Sequence, residues 1–169
     1  MTDFVKGVGL LVVGLLTAVF IYPFIHELGH AAVALMVGAD IEQFALSYPQ
    51  HIICDISHID SVSRAAIGIG GNVFPYFISS LWQPKNFWAW YVLLLIKVIS
   101  LLSLALSIIS IILYQNGSFD SNEDINQVLA YFTNGDKLCL IVFSLMFIFG
   151  IKRIASSRPL KRCLLYFGV

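Results

Sequence analysis

Four long stretches of this chain are almost free of charge. From Gly7 to Ile25, Ala65 to Trp82, Phe87 to Tyr114 and Leu138 to Ile151 the only charged side chain is Lys97. A helix crosses the ~30 Å hydrocarbon core of a bilayer in about 20 apolar residues, so these stretches predict four membrane spans. The first continues with polar interruptions to Val37. The fourth is short, but Lys137, Lys152 and Arg153 at its ends can snorkel to the interface. Composition agrees: 59% of residues are hydrophobic and 12% charged, where a soluble domain carries about 25% charged residues. A water-soluble globule is excluded. Ten basic against ten acidic residues exclude a generally basic nucleic-acid binder.

No repeat, low-complexity tract or linker interrupts the chain, which predicts a single domain over residues 1–169. The expected fold is an all-α membrane protein, a bundle of about four transmembrane helices carrying a small external β-hairpin. The apolar run after Lys6 is too long for a signal peptide and lacks a small-residue cleavage site, so it reads as a retained span. Cys54, Cys139 and Cys163 are far apart and include no CxxC pair, which argues against a disulfide framework and a thiolate metal site.

Placing the N-terminus inside sorts Lys6, Lys85, Lys152, Arg153, Arg158, Lys161 and Arg162 to the inner side and leaves Arg64 and Lys137 outside. That is the positive-inside arrangement, and it predicts a plasma-membrane protein with both termini cytoplasmic. Trp82, Trp88, Trp90 and Tyr91 gather at the inner turn as an interfacial belt. The basic tail ending in Leu164, Leu165, Tyr166 and Phe167 reads either as a segment lying on the inner leaflet or as a solvated charge cluster.

The outer segments are patterned. Phe44, Leu46 and Tyr48 alternate with polar or small residues, as do Ile52, Cys54 and Ile56 after a Pro49-Gln50 break, which predicts a hairpin within 41–57. Ser121 to Asp124 resembles a helix start, Ile125, Val128, Leu129 and Phe132 follow at helical spacing, and Asn134-Gly135 reads as the stop.

The exception to the scarcity of charge is His26-Glu27-Leu28-Gly29-His30 within the first span. Ionisable groups in such a setting are costly and suggest function by default. Residues four apart share a helix face, so His26 and His30 can offer two imidazoles to one zinc ion. Glu27 beside them is placed to take a proton from a zinc-activated water and hand it to a leaving amine. The competing reading is a buried polar cluster that ties helices together.

With Ala31 to Ala34 and Gly38 after this motif, a strand-like segment next, and Gly70, Gly71, Asn72 and Pro75 on the second helix, residues 15–82 resemble the site-2 protease family of intramembrane zinc metalloproteases. The resemblance implies a small, core-only member that hydrolyses peptide bonds of membrane-associated protein substrates. It also implies that Asn72 holds a substrate backbone or an oxyanion; a hydrogen bond between helices explains Asn72 equally well. The family's third ligand is an aspartate in an Asp-Gly motif, and this sequence has no Asp-Gly pair.

The third ligand is therefore argued physically. From Gly7, His26 and His30 lie ~29–35 Å along a straight helix, near the outer edge of the core, within reach of an external segment. Asp124, opening the amphipathic helix, is the first choice; a helix-capping role explains the same position. Asp120 and Glu123 are alternatives, and His51 and His58 stay open as donors. Pro23 frees a backbone carbonyl one turn before His26 and is expected to kink the helix. Lys97 either pairs with an acid inside the bundle or snorkels, a structural role in both cases.

These readings predict a zinc metalloendopeptidase with Glu27 and Asn72 catalytic, His26, His30 and Asp124 as ligands, zinc as cofactor, and a membrane protein or peptide as substrate. The alternative is a non-proteolytic membrane zinc-binding or scaffold protein of the same fold.

Overall fold

The computed structural model describes residues 2–82, 84–117, 124–132 and 135–168. Asp120, Glu123 and Asn134 lie outside them. The described chain is mostly helical, with one small sheet.

A helix of 34 residues, Asp3–Met36, opens the fold. It comprises α1 (Asp3–Leu16), a π-helical turn (Thr17–Ile21) and α2 (Tyr22–Met36). The π turn ends two residues before Pro23, which has no N–H to return to the preceding turn; widening the ladder accommodates that missing bond. Gly38, at φ 81°, then lets the chain leave the helix, and Ala39 N–H closes the end onto Ala34 O at 2.9 Å.

Strands β1 (Asp40–Ala45) and β2 (His51–Asp55) pair antiparallel, with an irregularity between Ile41 and Gln43. Asp60 caps α3 (Ser61–Leu81), accepting from Val62 N–H and Ser63 N–H. Asn86 caps α4 (Phe87–Gln115) in the same way. The amphipathic helix is α5 (Asp124–Tyr131), whose Ile125, Val128 and Leu129 are buried. Helix α6 (Gly135–Ser156) and α7 (Pro159–Phe167) follow, joined through Arg158 in the left-handed region at φ 47°.

Among the described residues three helical segments are long and apolar enough to cross a membrane: Asp3–Met36, Phe87–Gln115 and Gly135–Phe167, the last broken at Arg158. The expected span over 65–82 is not among them, although α3 has 21 residues. The reason lies in its position. Helix α3 packs against α2, α4 and α5, and its Gly70, Gly71, Asn72, Ser79 and Ser80 are buried in protein, where small and polar residues are tolerated as lipid-facing ones are not.

Close approach fixes α3 against α2. A Cβ added at Gly29 would strike Gly70 O, and one at Gly70 would meet Gly29 O at 2.7 Å. On the other side Ala65, Leu101, Leu104, Val128 and Phe143 share one apolar core. At the opposite end, α7 folds back onto the starts of α1 and α4: Tyr166 stacks on Phe87 with ring centroids 4.0 Å apart, and Lys6 lies 5.7 Å over the Tyr166 ring. The tail is thus packed on an aromatic cluster of the protein.

Candidate metal centre

One turn of α2 separates His26 from His30, and their imidazoles meet edge to face with centroids 4.8 Å apart. His30 Nδ1 lies 2.7 Å from Ile67 O on α3. A carbonyl only accepts, so Nδ1 carries the proton and the Nε2 lone pair of neutral His30 is directed away from α3's backbone. That lone pair faces His26 Nε2 at 3.1 Å.

Asp124, the first residue of α5, completes a triangle. Its Oδ2 is 3.1 Å from His26 Nε2 and 3.4 Å from His30 Nε2. Burial pushes the Asp124 carboxyl up, but hydrogen bonds to His26 and His30 and their charge outweigh it and hold it well below the usual carboxylate range. Helix α5 comes this close because Gly68 of α3 has no Cβ; an added one would meet Val128 Cγ2 and the Asp124 carbonyl.

The donor set fits a small tetrahedral ion. Bonds of about 2.0–2.1 Å at tetrahedral angles put donor atoms about 3.3–3.4 Å apart, close to the three separations here. As bare groups the cluster is poorly satisfied: a single proton on His26 Nε2 cannot serve both a carboxylate and the His30 lone pair. Space for an ion depends on Gly71, where a Cβ would collide with His30 Nε2 and lie 2.7 Å from His26 Nε2.

Glu27 belongs to a wider cluster: its carboxylate lies with the ligand atoms of His26 and His30 within 4.8 Å. One of its oxygens, Oε2, accepts the backbone N–H of Ile52 at 3.0 Å. The tight triangle is therefore His26, His30 and Asp124, with Glu27 beside it on a cleft of about 450 Å³ lined by His51, Ile52, Ile53 and Cys54 of β2. The strand facing the site is β2; Phe44 of β1 packs instead on Phe24, centroids 6.0 Å apart.

Asn72 is buried and lines a second space of about 240 Å³ with His26 and Asp124. Its Oδ1 accepts a short hydrogen bond from Ser103 Oγ, and its Nδ2 donates to Ser107 Oγ at 3.4 Å. The amide thus bridges α3 to α4, and the two serines are participants that sequence pattern did not single out, being isolated hydroxyls in an apolar helix. His51 is at the cleft with Nδ1 3.0 Å from Pro49 O, and His58 faces Gly38 O at 3.1 Å; neither joins the triangle. Lys97 is buried at 7% exposure with no carboxylate partner among the described residues, so of its two readings the pairing with an acid is not formed there.

Comparison of the chain with protein-family models, curated proteins and solved structures gives no match.

Proposed function

We propose that this chain is an intramembrane zinc metalloendopeptidase of the site-2 protease kind, acting on membrane-associated protein substrates. The observation that supports it is the triangle of His26 Nε2, His30 Nε2 and Asp124 Oδ2, with the Glu27 carboxylate beside it and an open cleft in front. His26, His30 and Asp124 hold the ion in this reading. Bound zinc supplies the Lewis acidity that makes water a nucleophile near neutral pH and polarises a peptide carbonyl.

The protein's own groups do the rest. Glu27 takes the proton of the attacking water at a carboxylate oxygen and delivers it to the leaving amine nitrogen, breaking the C–N bond. Ile52 N–H holds that carboxylate in one orientation. Since Ile52 spends its N–H on Glu27, its backbone and that of Cys54, two residues on, lie on the β2 edge away from β1. A transmembrane substrate must unwind to expose its scissile carbonyl, and an unwound strand can be held along this edge by β-addition. Asn72 Nδ2 is the candidate donor to the developing oxyanion. The concentration of cations near α7 favours cytoplasmic termini; the plasma membrane is the location proposed.

The test is to purify the full chain without chelators, measure zinc per chain, and assay a tethered membrane substrate. Glu27→Gln is expected to keep zinc and lose about 10²–10⁴-fold in cleavage rate, the range of general acid–base catalysis. Asp124→Asn is expected to bind zinc more weakly. Full occupancy in Asp124→Asn removes that residue from the site, and a zinc-free wild type overturns the enzymatic reading. Zinc without cleavage favours the scaffold alternative.

A further inference from the structure

A cavity of about 390 Å³ lies far from the histidines, between the end of α3, the first half of α4 and the α6–α7 turn. Its walls carry four cations. Lys97 contributes from α4, where it is buried, and Arg158, Lys161 and Arg162 from the turn and α7. Arg162 is held toward the cavity by the Trp90 ring, 5.2 Å from its guanidinium carbon. A fifth cation, Arg153, sits nearby on α6; its Nη2 donates to Ser80 O at 3.0 Å while its buried Nε has no partner among the described residues.

Among the described residues no acid offsets them. Among the described residues none of the four cations has a carboxylate within ion-pair distance, and Asp3, the acid on α1 near α7, is paired with Lys6 at 3.3 Å. A buried ammonium in a membrane-spanning helix is costly unless an anion meets it. Basic recesses between transmembrane helices suit phosphate-bearing headgroups. The rim adds an apolar margin, with Trp82 at 65% and Leu165 at 64% exposure, against which an acyl chain can lie.

We propose that this cavity binds a phosphate-bearing anion, with Lys97, Arg158, Lys161 and Arg162 as its counter-charge. The chemistry is shared by the headgroup of an anionic phospholipid and by free phosphate; the exposed Trp82 and Leu165 favour the lipid. The site is separate from the triangle on α2, and it stands whether or not the chain is a protease.

The full-length protein in detergent micelles is mixed with dioleoylphosphatidylglycerol or with dioleoylphosphatidylcholine, and adducts are counted by native mass spectrometry; inorganic phosphate is titrated by calorimetry. Phosphatidylglycerol is expected to saturate at a single adduct per chain that phosphatidylcholine does not match. Lys97→Met and Arg162→Gln are each expected to weaken it about tenfold, the loss typical of a charged hydrogen-bond partner. Lys152→Gln, exposed on α6 and outside the cavity, is expected to leave it unchanged. If Lys97→Met fails to fold, the exposed Arg162 carries the test alone. Phosphate that binds and competes assigns the soluble anion; phosphate that fails where phosphatidylglycerol binds assigns the lipid. Equal binding of the two lipids, an equal loss in Lys152→Gln, or no binding of either anion overturns the site.

Discussion

The backbone N–H of Ile52 donates to Glu27 Oε2 at 3.0 Å, so an edge group of β2 fixes the acid that lies between the two histidines. Ile52→Pro removes this donor without touching the strand pairing, since proline is tolerated where an edge N–H points away from its neighbour. Zinc content is expected to stay at the wild-type level while the rate with a tethered substrate falls about tenfold, the worth of one charged hydrogen bond. An unchanged rate would show that Glu27 needs no such support.

Gly71 leaves the room between α3 and the imidazoles. Gly71→Ala is expected to push His30 out of line, at an overpacking cost of about 1–3 kcal/mol, and to lower metal retention in dialysed protein while circular dichroism still reports the same helix content. Wild-type retention in this variant would place the ion elsewhere.

Asn72 bridges to Ser103 and Ser107 on α4. Asn72→Ala strands the buried Ser107 hydroxyl and the half-buried one of Ser103 and is expected to destabilise by about 1–3 kcal/mol; combined with Ser103→Ala the losses should fall short of additive, as for residues sharing one network. An oxyanion donor behaves differently: Asn72→Ala then lowers kcat where Ser103→Ala does not. Melting curves and kinetics of the two single variants and the double variant separate the roles, and fully additive stability losses would refute the bridge.

Acid sensitivity should appear at the start of α3. The Asp60 carboxylate accepts from Ser63 Oγ at 2.6 Å and from Val62 and Ser63 N–H at 2.9 and 3.1 Å, and these bonds, the Ser63 hydroxyl foremost, hold its carboxyl below the usual range. A carboxyl lowered on folding contributes stability that is present above its unfolded value, about 3.9, and is lost as pH falls through the folded one. The thermal midpoint is therefore expected to drop with acidification below about pH 4, and Asp60→Asn, which still caps, should flatten that drop. An identical pH profile in Asp60→Asn would discount this contribution.

Periodicity carried the local elements well. The alternation around Phe44 and Ile52 corresponds to a hairpin, and the spacing of Ile125, Val128 and Leu129 to a helix with those residues buried. It does not rank the helices by environment: α3 has the length of a span, yet its Gly70, Gly71, Ser79 and Ser80 are buried against other helices, a fact of packing between distant segments. Nor does any local pattern say that β2 rather than β1 faces Glu27, or that Lys97 shares a cavity with Arg158 and Arg162. Helix-start chemistry singles out Asp124, but its nearness to His26 depends on the contact of Val128 with Gly68, which only the folded chain contains.

That dependence bears on biosynthesis. His26 and Asp124 are 98 residues apart in the chain, and α5 reaches the histidines only by resting on Gly68. During synthesis His26 and His30 emerge well before the carboxylate that meets them, with α3 and α4 made in between. The Gly29–Gly70 contact joins two helices that precede Asp124 in the chain, so the surface on which α5 rests is made before α5 itself.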